Sequence, residues 1–387
     1  MDLSLEAGID RRGTQCLKWD TTPEGVLPMW VADMDFPCAP GILEALRKRL
    51  EHPVFGYTRM SDEDKQAIVD YYARRHGMKL CGEEMLFTPG VVDSLLLSVH
   101  ALTAPGDKVL IQSPVYGPFS GVIRRAKREI VENPLVQTAS GRYEMDLADL
   151  DARLAECKLM LLCSPHNPCG RVWERDEIER AMDIYRQHDC VVISDEIWSD
   201  IILPGHKHIP TQSVSEDARM RTVALYAPSK TFNLAGLVGS YHIIYNETLR
   251  DRVCAVSDKT HYNEMNVLSM HALIGAYQQQ GYEWVDELNE IIDANVGYFC
   301  DYVDEHFEGV SYSRPQGTYM VFLDCTKWCR EHGRDIQWLL DEGARVGVGY
   351  QDGRPFHGPC HIRVNLALPL SRVKEACERL DRYVFGV

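Results

Sequence analysis

The stretch Ala227-Pro228-Ser229-Lys230-Thr231-Phe232-Asn233 directly follows the apolar run Thr222-Val223-Ala224-Leu225-Tyr226, and the two together decide the fold. The run has the length of a buried strand, and Lys230 stands just past its end, beside the hydroxyl of Ser229. Lysine forms an imine with an aldehyde when burial and neighbouring charges keep part of its amine neutral. The stretch therefore indicates imine chemistry near a phosphate, although taken alone it also fits a solvated loop lysine.

Three further apolar runs of strand length precede this one in the sequence. They cover residues 107–111, 158–163 and 190–194, and the stretch 176–187 repeats apolar residues at helical spacing. Continuous apolar strands that alternate with helices are typical of a mainly parallel sheet covered on both faces. We therefore predict an α/β fold, with a large domain over residues 46–285.

The last hundred residues follow another pattern. A long helical stretch at about 284–305 is followed by apolar runs, the last at 361–365, and by a closing helix from Ser371. This mixture predicts a smaller α+β domain, which we expect the amino-terminal segment to join. We assign this domain to residues 1–45 and 286–387.

The composition narrows the class of protein. The 387 residues carry a formal net charge of −16, which argues against nucleic acid or an anionic membrane as the main partner. The amino terminus lacks a basic segment followed by an apolar one, and no uncharged apolar run approaches the roughly 18 residues of a membrane span. The 13 cysteines form no Cys-x-x-Cys pair, so we expect reduced thiols, no metal site and a cytoplasmic location.

Polar residues follow each predicted strand, where ligands bind in parallel α/β sheets. The stretches after the strands are Ser113-Pro114-Val115-Tyr116-Gly117, Ser164-Pro165-His166-Asn167-Pro168-Cys169-Gly170, Asp195-Glu196-Ile197-Trp198 and Ser229-Lys230. Upstream, Thr88-Pro89-Gly90-Val91-Val92 opens a helix, whose free N–H groups and positive dipole end suit a phosphate.

This combination matches the needs of pyridoxal 5′-phosphate (PLP). Its ring nitrogen needs an anion to hold a proton, its phenolate oxygen a hydrogen-bond donor, its ring face a stacking partner and its phosphate hydroxyls and amides. Each residue also has a structural interpretation. Asp195 fits a helix cap, Asn167 a turn residue before Pro168, and Tyr116 a packing aromatic.

Six motifs follow one another along the chain: Pro28-Met29-Trp30-Val31-Ala32-Asp33-Met34-Asp35-Phe36, Phe55-Gly56-Tyr57, Ser164-Pro165-His166-Asn167-Pro168-Cys169-Gly170, Ser194-Asp195-Glu196-Ile197, Ser229-Lys230-Thr231-Phe232-Asn233 and His361-Ile362-Arg363-Val364-Asn365. With them the chain resembles the fold-type-I PLP-dependent enzymes, and among these the MalY/PatB-type C–S lyases, which are cystathionine β-lyase-like. The resemblance runs from about residue 10 to the carboxyl terminus. It implies a large domain with a mainly parallel seven-stranded sheet between helices, and a smaller α+β domain.

The resemblance also implies a role for each site residue. Lys230 would bind PLP covalently and act as the catalytic base, Asp195 would pair with the ring nitrogen, and Asn167 would donate to the phenolate oxygen. The remaining roles are stacking on the ring and catalysis by Tyr116, phosphate binding by Ser229 and the backbone of Val91 and Val92, phosphate binding across a homodimer interface by Tyr57, and substrate carboxylate binding by Arg363. The alternative for Arg363 is a surface ion pair, and for Tyr57 a turn aromatic.

The implied reaction is β-elimination from cystathionine or a related cysteine S-conjugate, which yields a thiol, pyruvate and ammonia. An aminotransferase of the same superfamily is the alternative, and a PLP-fold regulatory or binding protein is the third interpretation. Lys230 or Tyr116 would protonate the leaving thiolate. Trp198 departs from the Tyr or His common in relatives, and its indole N–H can donate a hydrogen bond but cannot accept one. Arg354 is a candidate for a distal carboxylate, or an exposed loop residue.

Overall fold

The computed structural model describes residues 9–260 and 263–386, and within these ranges it contains fourteen strands and fifteen α-helices. The strands are β1 (Leu27–Met29), β2 (Met85–Thr88), β3 (Lys108–Ile111), β4 (Glu129–Glu132), β5 (Val136–Gln137), β6 (Tyr143–Glu144), β7 (Cys157–Cys163), β8 (Val191–Asp195), β9 (Thr222–Tyr226), β10 (Ser240–Ile243), β11 (Ser311–Tyr312), β12 (Met320–Asp324), β13 (Val348–Asp352) and β14 (His361–Asn365). The helices are α1 (Leu17–Asp20), α2 (Pro40–Leu50), α3 (Asp62–His76), α4 (Val91–Leu102), α5 (Gly117–Arg125), α6 (Leu147–Leu154), α7 (Arg175–Gln187), α8 (Glu216–Arg221), α9 (Pro228–Thr231), α10 (Glu247–Ser257), α11 (Val267–Ala276), α12 (Gln279–His306), α13 (Thr326–His332), α14 (Ile336–Arg345) and α15 (Leu370–Leu380).

A seven-stranded sheet forms the larger layer of the fold. Its strand order is β2-β10-β9-β8-β7-β3-β4, and the five strands from β9 to β4 run parallel to their neighbours. Only β10 runs against both of its neighbours, β9 and β2. The prediction of a mainly parallel seven-stranded sheet is therefore confirmed.

Helices cover both faces of this sheet, which explains its continuous apolar strands. On β7, Leu159 and Leu161 pack with helices α4, α5 and α10, whereas Met160 and Leu162 pack with α6 and α7. Successive side chains of a strand point to opposite faces, so a strand buried on both sides needs an apolar residue at every position. All five residues of β9 are buried for the same reason.

A second sheet, with the order β1-β13-β14-β12-β11, lies in the other lobe. Strand β1 pairs with β13 in parallel, and the remaining pairs are antiparallel. Helix α12 packs Leu288, Ile292 and Val296 into the core that contains β12 and β14. This helix runs through residue 285, and the domain limits 46–285, 1–45 and 286–387 stay a prediction.

The composition-based expectations concern cysteines and membranes. All thirteen cysteines lie in the described ranges and are free thiols, most of them buried. Among the helices of those ranges, none combines the length and the apolar character needed to cross a bilayer. The cytoplasmic location stays a prediction.

Candidate active site

The carboxyl ends of the parallel strands bring seven of the predicted site residues into one cavity. Strand pairing sets Cys163 beside Asp195, and Asp195 beside Leu225, so the loops that follow β7, β8 and β9 emerge together. The predicted residues that line the cavity are Val91, Val92, Tyr116, Asn167, Asp195, Ser229 and Lys230. The pocket therefore forms where the strand-end argument predicted it.

The start of helix α4 supplies backbone N–H groups to one end of the cavity. Gly90 is its extended N-cap residue and no side chain caps it, so the first N–H groups, at Val91 and Val92, line the pocket. The helix is twelve residues long, and its amino-terminal dipole end favours an anion. Below it, the buried hydroxyls of Thr88, Ser94 and Ser240 hydrogen-bond to one another and fix the first turn to β2 and β10.

Asp195 ends strand β8 with its carboxylate in the cavity wall. The residue is 2% exposed, and its Oδ1 accepts the N–H of Ile197 at 3.1 Å. Burial raises the pKa of Asp195 from 3.8 to about 7, against the opposing effects of that hydrogen bond and of Lys230. A cation beside this carboxylate would restore its charged form.

Lys230 lies on the one-turn helix α9 and lines the same cavity as Asp195. Its Nζ donates to the main-chain oxygen of Ala32 at 2.8 Å and lies 5.7 Å from the ring centroid of Trp198. Burial, and then the charge of Arg363, lower the pKa of the amine from 10.5 to about 8. A useful share of Lys230 is therefore neutral near neutral pH, as an imine-forming or proton-accepting amine requires.

Arg363 reaches the cavity region from β14 of the second sheet. Its guanidinium donates to Asn167 Oδ1 and to the carbonyl of Trp30, each at 3.1 Å, and stacks on Phe356 at 4.4 Å. The residue is 4% exposed, no carboxylate among the described residues pairs with it, and its Nε has no partner there. Burial lowers the pKa of Arg363 to about 10. A buried guanidinium that has no carboxylate partner among the described residues can bind the carboxylate of a ligand through paired hydrogen bonds.

Residues 30–34, which we call the strap, hold Lys230 and Arg363 in place. Each of the five consecutive strap carbonyls accepts a hydrogen bond from at least one side chain. Arg363 donates to the carbonyl of Trp30, and Asn365 to that of Val31. Lys230 and Tyr319 donate to Ala32, Asn365 and Lys18 to Asp33, and Asn233 and Arg11 to Met34. Asn233, at a left-handed φ of 59°, also accepts the N–H of Met34. The strap is thus part of the site.

The sequence missed the roles of several strap partners. Asn233 and Asn365 end two of the motifs quoted above, so their side-chain type was a usable signal. Tyr319 and the carbonyl of Ala32 had no such signal, because they are 287 residues apart and a main-chain oxygen has no sequence pattern.

Tyr116, Asn167 and Trp198 surround the remaining space. Tyr116 precedes helix α5, and burial raises the pKa of its hydroxyl. Since the Oδ1 of Asn167 accepts from Arg363, its amide nitrogen remains a donor for a ligand. Trp198 is 2% exposed and packs edge-on against Tyr319 at 4.7 Å.

Two other predicted residues lie elsewhere. Tyr57 is 88% exposed and belongs to residues 54–58, which we call the arm, together with the exposed Val54 and Phe55. It lines a groove with residues 266–268 rather than the cavity of its own chain. Arg354 lies at the surface, where it forms an ion pair with Asp352 at 2.7 Å.

Comparison with known proteins identifies the family. The model of "Aminotransferase class I and II" matches residues 25–380. The chain belongs to that family. Cystathionine beta-lyase PatB of Bacillus subtilis is 37% identical over 96% of this chain and 97% of its own, and Protein MalY of Escherichia coli is 34% identical over 98% of each. The PLP-bound C–S lyase of Staphylococcus hominis superposes with a TM-score of 0.90 at 30% identity, over 97% of both chains.

The cavity fits the cofactor of that family member. Among the described residues, the buried carboxylate of Asp195 forms no ion pair, Lys230 lines the same cavity with a partly neutral amine, and the uncapped start of α4 lines it as well. These three features correspond to the ring nitrogen, the aldehyde and the phosphate of PLP. The donor set and its arrangement therefore suit PLP.

Proposed function

We propose that this chain is a PLP-dependent C–S β-lyase, which cleaves cystathionine or related cysteine S-conjugates to a thiol, pyruvate and ammonia. The observation that carries the proposal is the buried pair Lys230 and Arg363, a partly neutral amine and a guanidinium without a carboxylate partner among the described residues. This pair suits an α-amino acid, whose carboxylate and Cα proton it would engage. The name of PatB and that of the Staphylococcus hominis enzyme favour C–S cleavage over amino transfer.

In this proposal seven residues hold PLP. Lys230 binds it covalently, Asp195 pairs with its ring nitrogen, Asn167 donates to its phenolate oxygen and Tyr116 stacks on its ring. Ser229 and the N–H groups of Val91 and Val92 bind its phosphate. When bound, PLP supplies an electron-accepting ring that stabilises negative charge at the substrate Cα.

The protein's own part in the reaction is to bind, orient and move protons. Arg363 binds the substrate α-carboxylate through two N–H groups, a geometry that lysine cannot reproduce. The neutral amine of Lys230 accepts the Cα proton, and its lowered pKa keeps that form available. Lys230 or Tyr116 then returns a proton to the leaving sulfur.

We further propose that the active form is a homodimer in which Tyr57 binds the cofactor phosphate of the partner subunit. The arm supports this, because Val54, Phe55 and Tyr57 are 60%, 54% and 88% exposed. Contiguous exposed apolar side chains on a groove are typical of an interface. Sedimentation velocity should give a dimer of twice 44.1 kDa, and a monomer would contradict this assignment.

An aminotransferase is the second candidate, since the matched family carries that name. The test is incubation of purified protein with cystathionine, cystine and S-alkyl-cysteines, with pyruvate and thiol measured in the absence of a keto acid. A lyase forms pyruvate continuously, because elimination leaves PLP unchanged. A burst of about one equivalent that resumes only on addition of 2-oxoglutarate would establish the aminotransferase instead.

A further inference from the structure

The carbonyl of Ala32 accepts hydrogen bonds from two side chains at once. Lys230 Nζ donates to it at 2.8 Å and the hydroxyl of Tyr319 at 3.1 Å. The amine and the hydroxyl are therefore no farther apart than the sum of those two distances. A carbonyl oxygen has two lone pairs, so both donors occupy it fully.

The position of Tyr319 is fixed by backbone on both sides of it. Its carbonyl accepts the N–H of Leu366 at 2.9 Å, and the N–H of Thr318 donates to Ile201 O at 2.8 Å. A Cβ on Gly317 would lie 2.8 Å from the same Ile201 oxygen, so this segment packs closely against the first lobe. The ring of Tyr319 is fully buried and packs edge-on against Trp198. The hydroxyl is thus held at one place.

We propose that Tyr319 is a positioning residue of the reaction, whose hydroxyl fixes the Ala32 carbonyl as the acceptor for the free amine of Lys230. The inference rests on the proposed function, in which Lys230 must be free to take the Cα proton. A lysine side chain is a flexible four-carbon stem, and an unanchored amine would sample many positions. A hydrogen bond to a fixed carbonyl restricts the amine of Lys230 to positions near the substrate, so that it is already oriented to accept the Cα proton.

The charged and titratable groups around Lys230 come from several elements. Arg363 on β14 favours the neutral amine, whereas Asp33 of the strap and Asp195 of β8 favour the ammonium. Tyr319 adds a competing donor at the Ala32 carbonyl. Without that donor the carbonyl oxygen carries more negative charge and is a stronger acceptor for the ammonium, which as a charged donor gains more from it than the neutral amine does. Removing the hydroxyl should raise the pKa of the Lys230 amine.

The experiment compares Tyr319→Phe with Tyr350→Phe. Tyr350 is a matched control, since it is also buried in the second lobe and donates to a main-chain carbonyl, that of Leu339. In full-length protein freed of PLP, the pKa of Lys230 is read by mass spectrometry from the pH dependence of its acetylation. In the loaded enzyme, kcat and KM for an S-alkyl-cysteine are measured against pH.

In Tyr319→Phe we expect the Lys230 pKa, and the pH at which kcat rises, to shift upward by about half a unit. We expect kcat at neutral pH to fall about fivefold while KM stays within about twofold, because Arg363 still binds the carboxylate. Tyr350→Phe should change none of these. A loss of kcat without the upward pKa shift, or the same shift in the control, overturns the inference. The acetylation measurement needs no turnover, so failure of the lyase assay in wild-type protein is a separate result.

Discussion

The strap and the arm lie on either side of helix α2 in the sequence, and they differ in burial: the strap is buried or half-buried, whereas most of the arm is exposed. All five carbonyls of the strap accept hydrogen bonds from side chains of the same chain. The arm instead presents Val54, Phe55 and Tyr57 to solvent. Both segments bear motifs that pointed to the site, but only the strap reaches the cavity of its own chain.

The difference separates the site into two parts. The amine of Lys230, the carboxylate of Asp195 and the guanidinium of Arg363 belong to one chain, and the strap holds the amine and the guanidinium. The phosphate end is the part for which an element from a partner subunit is proposed. Variants of the first part should therefore change chemistry and substrate binding, whereas variants of the arm should change cofactor retention.

The largest effect should come from Asp195→Asn, in the part that is complete within one chain. A neutral amide cannot hold the proton of the ring nitrogen, so kcat should fall at least about 100-fold, or about 2.7 kcal/mol, with PLP still bound. Turnover and PLP absorbance are measured together, with the exposed Asp189→Asn as control. Near-native turnover would mean that Asp195 only caps the Ile197 amide.

Arg363→Lys should have the next largest effect. Lysine keeps the charge but loses the paired N–H donors and the contact with Phe356, so kcat/KM should fall about 30-fold, mostly through KM. Arg354→Lys, at an exposed ion pair, should leave both constants unchanged. An unaltered KM in Arg363→Lys would show that the substrate carboxylate binds to another residue.

Tyr57→Phe tests the arm and should weaken PLP binding about tenfold, the loss of one hydrogen bond to a charged group, with little change in kcat at saturating cofactor. Equilibrium dialysis with PLP measures the affinity. Tyr245→Phe, whose hydroxyl donates to the carbonyl of Lys79, is the control.

Mixed dimers decide where Tyr57 acts. In a dimer of one Tyr57→Phe chain and one Lys230→Ala chain, the site that retains Lys230 would take its tyrosine from the other chain. Wild-type PLP affinity at that site is the expected result. Affinity as weak as in the Tyr57→Phe homodimer would show that the tyrosine acts within its own chain and would remove the contrast between the two segments.

The smallest effect concerns stability without cofactor. The pKa of Asp195 is raised from 3.8 to about 7 in the folded chain, so the unfolded chain loses this proton first and stability falls as pH rises between these values. Lys230 acts in a higher window: its pKa is lowered from 10.5 to about 8, so its contribution is present above 10.5 and is lost as pH falls through 8.

Thermal melts of cofactor-free protein between about pH 5 and about pH 8 test whether stability falls as pH rises, as the raised pKa of Asp195 predicts. Relative to Asp195→Asn, the Tm of the wild-type chain should drop by about 2 to 4 °C across this range. Tyr57→Phe should run parallel to wild type. Parallel curves for wild type and Asp195→Asn would contradict the raised pKa.

The sequence was most informative where burial alone determines structure. Strand β9 covers the predicted run 222–226, and helix α7 begins within one residue of its predicted start. The strands β2 and β10 were not predicted. β2 is a four-residue strand at the sheet edge, and β10 carries the buried polar residues Ser240 and His242, which interrupt the apolar run that would indicate a buried strand. The ends of the predicted strands also located the cavity, because ligands bind at the carboxyl ends of parallel strands.

The hydrogen bonds between the strap and its partners could not be predicted from the sequence pattern. The bonds between Asn365 and the strap join residues 334 and 332 positions apart, and they end on carbonyls, which every residue has. No residue type distinguishes such an acceptor. Only the folded structure shows that the carbonyl of Ala32 accepts a hydrogen bond from Lys230.

Because the strap carbonyls make the bonds to Lys230, Arg363 and Asn365, the side chains of Val31 and Ala32 take no part in them, whereas Asp33 forms an ion pair with Arg11. A substitution at Val31 or Ala32 leaves the acceptor oxygen in place, whereas changes at Asn233 or Asn365 remove the donors that hold the segment. For protein engineering, this makes the strap a place where the shape of the cavity wall at Ala32 can be varied independently of the catalytic lysine. Libraries aimed at new S-substituents can therefore begin at these two positions and keep the two asparagines.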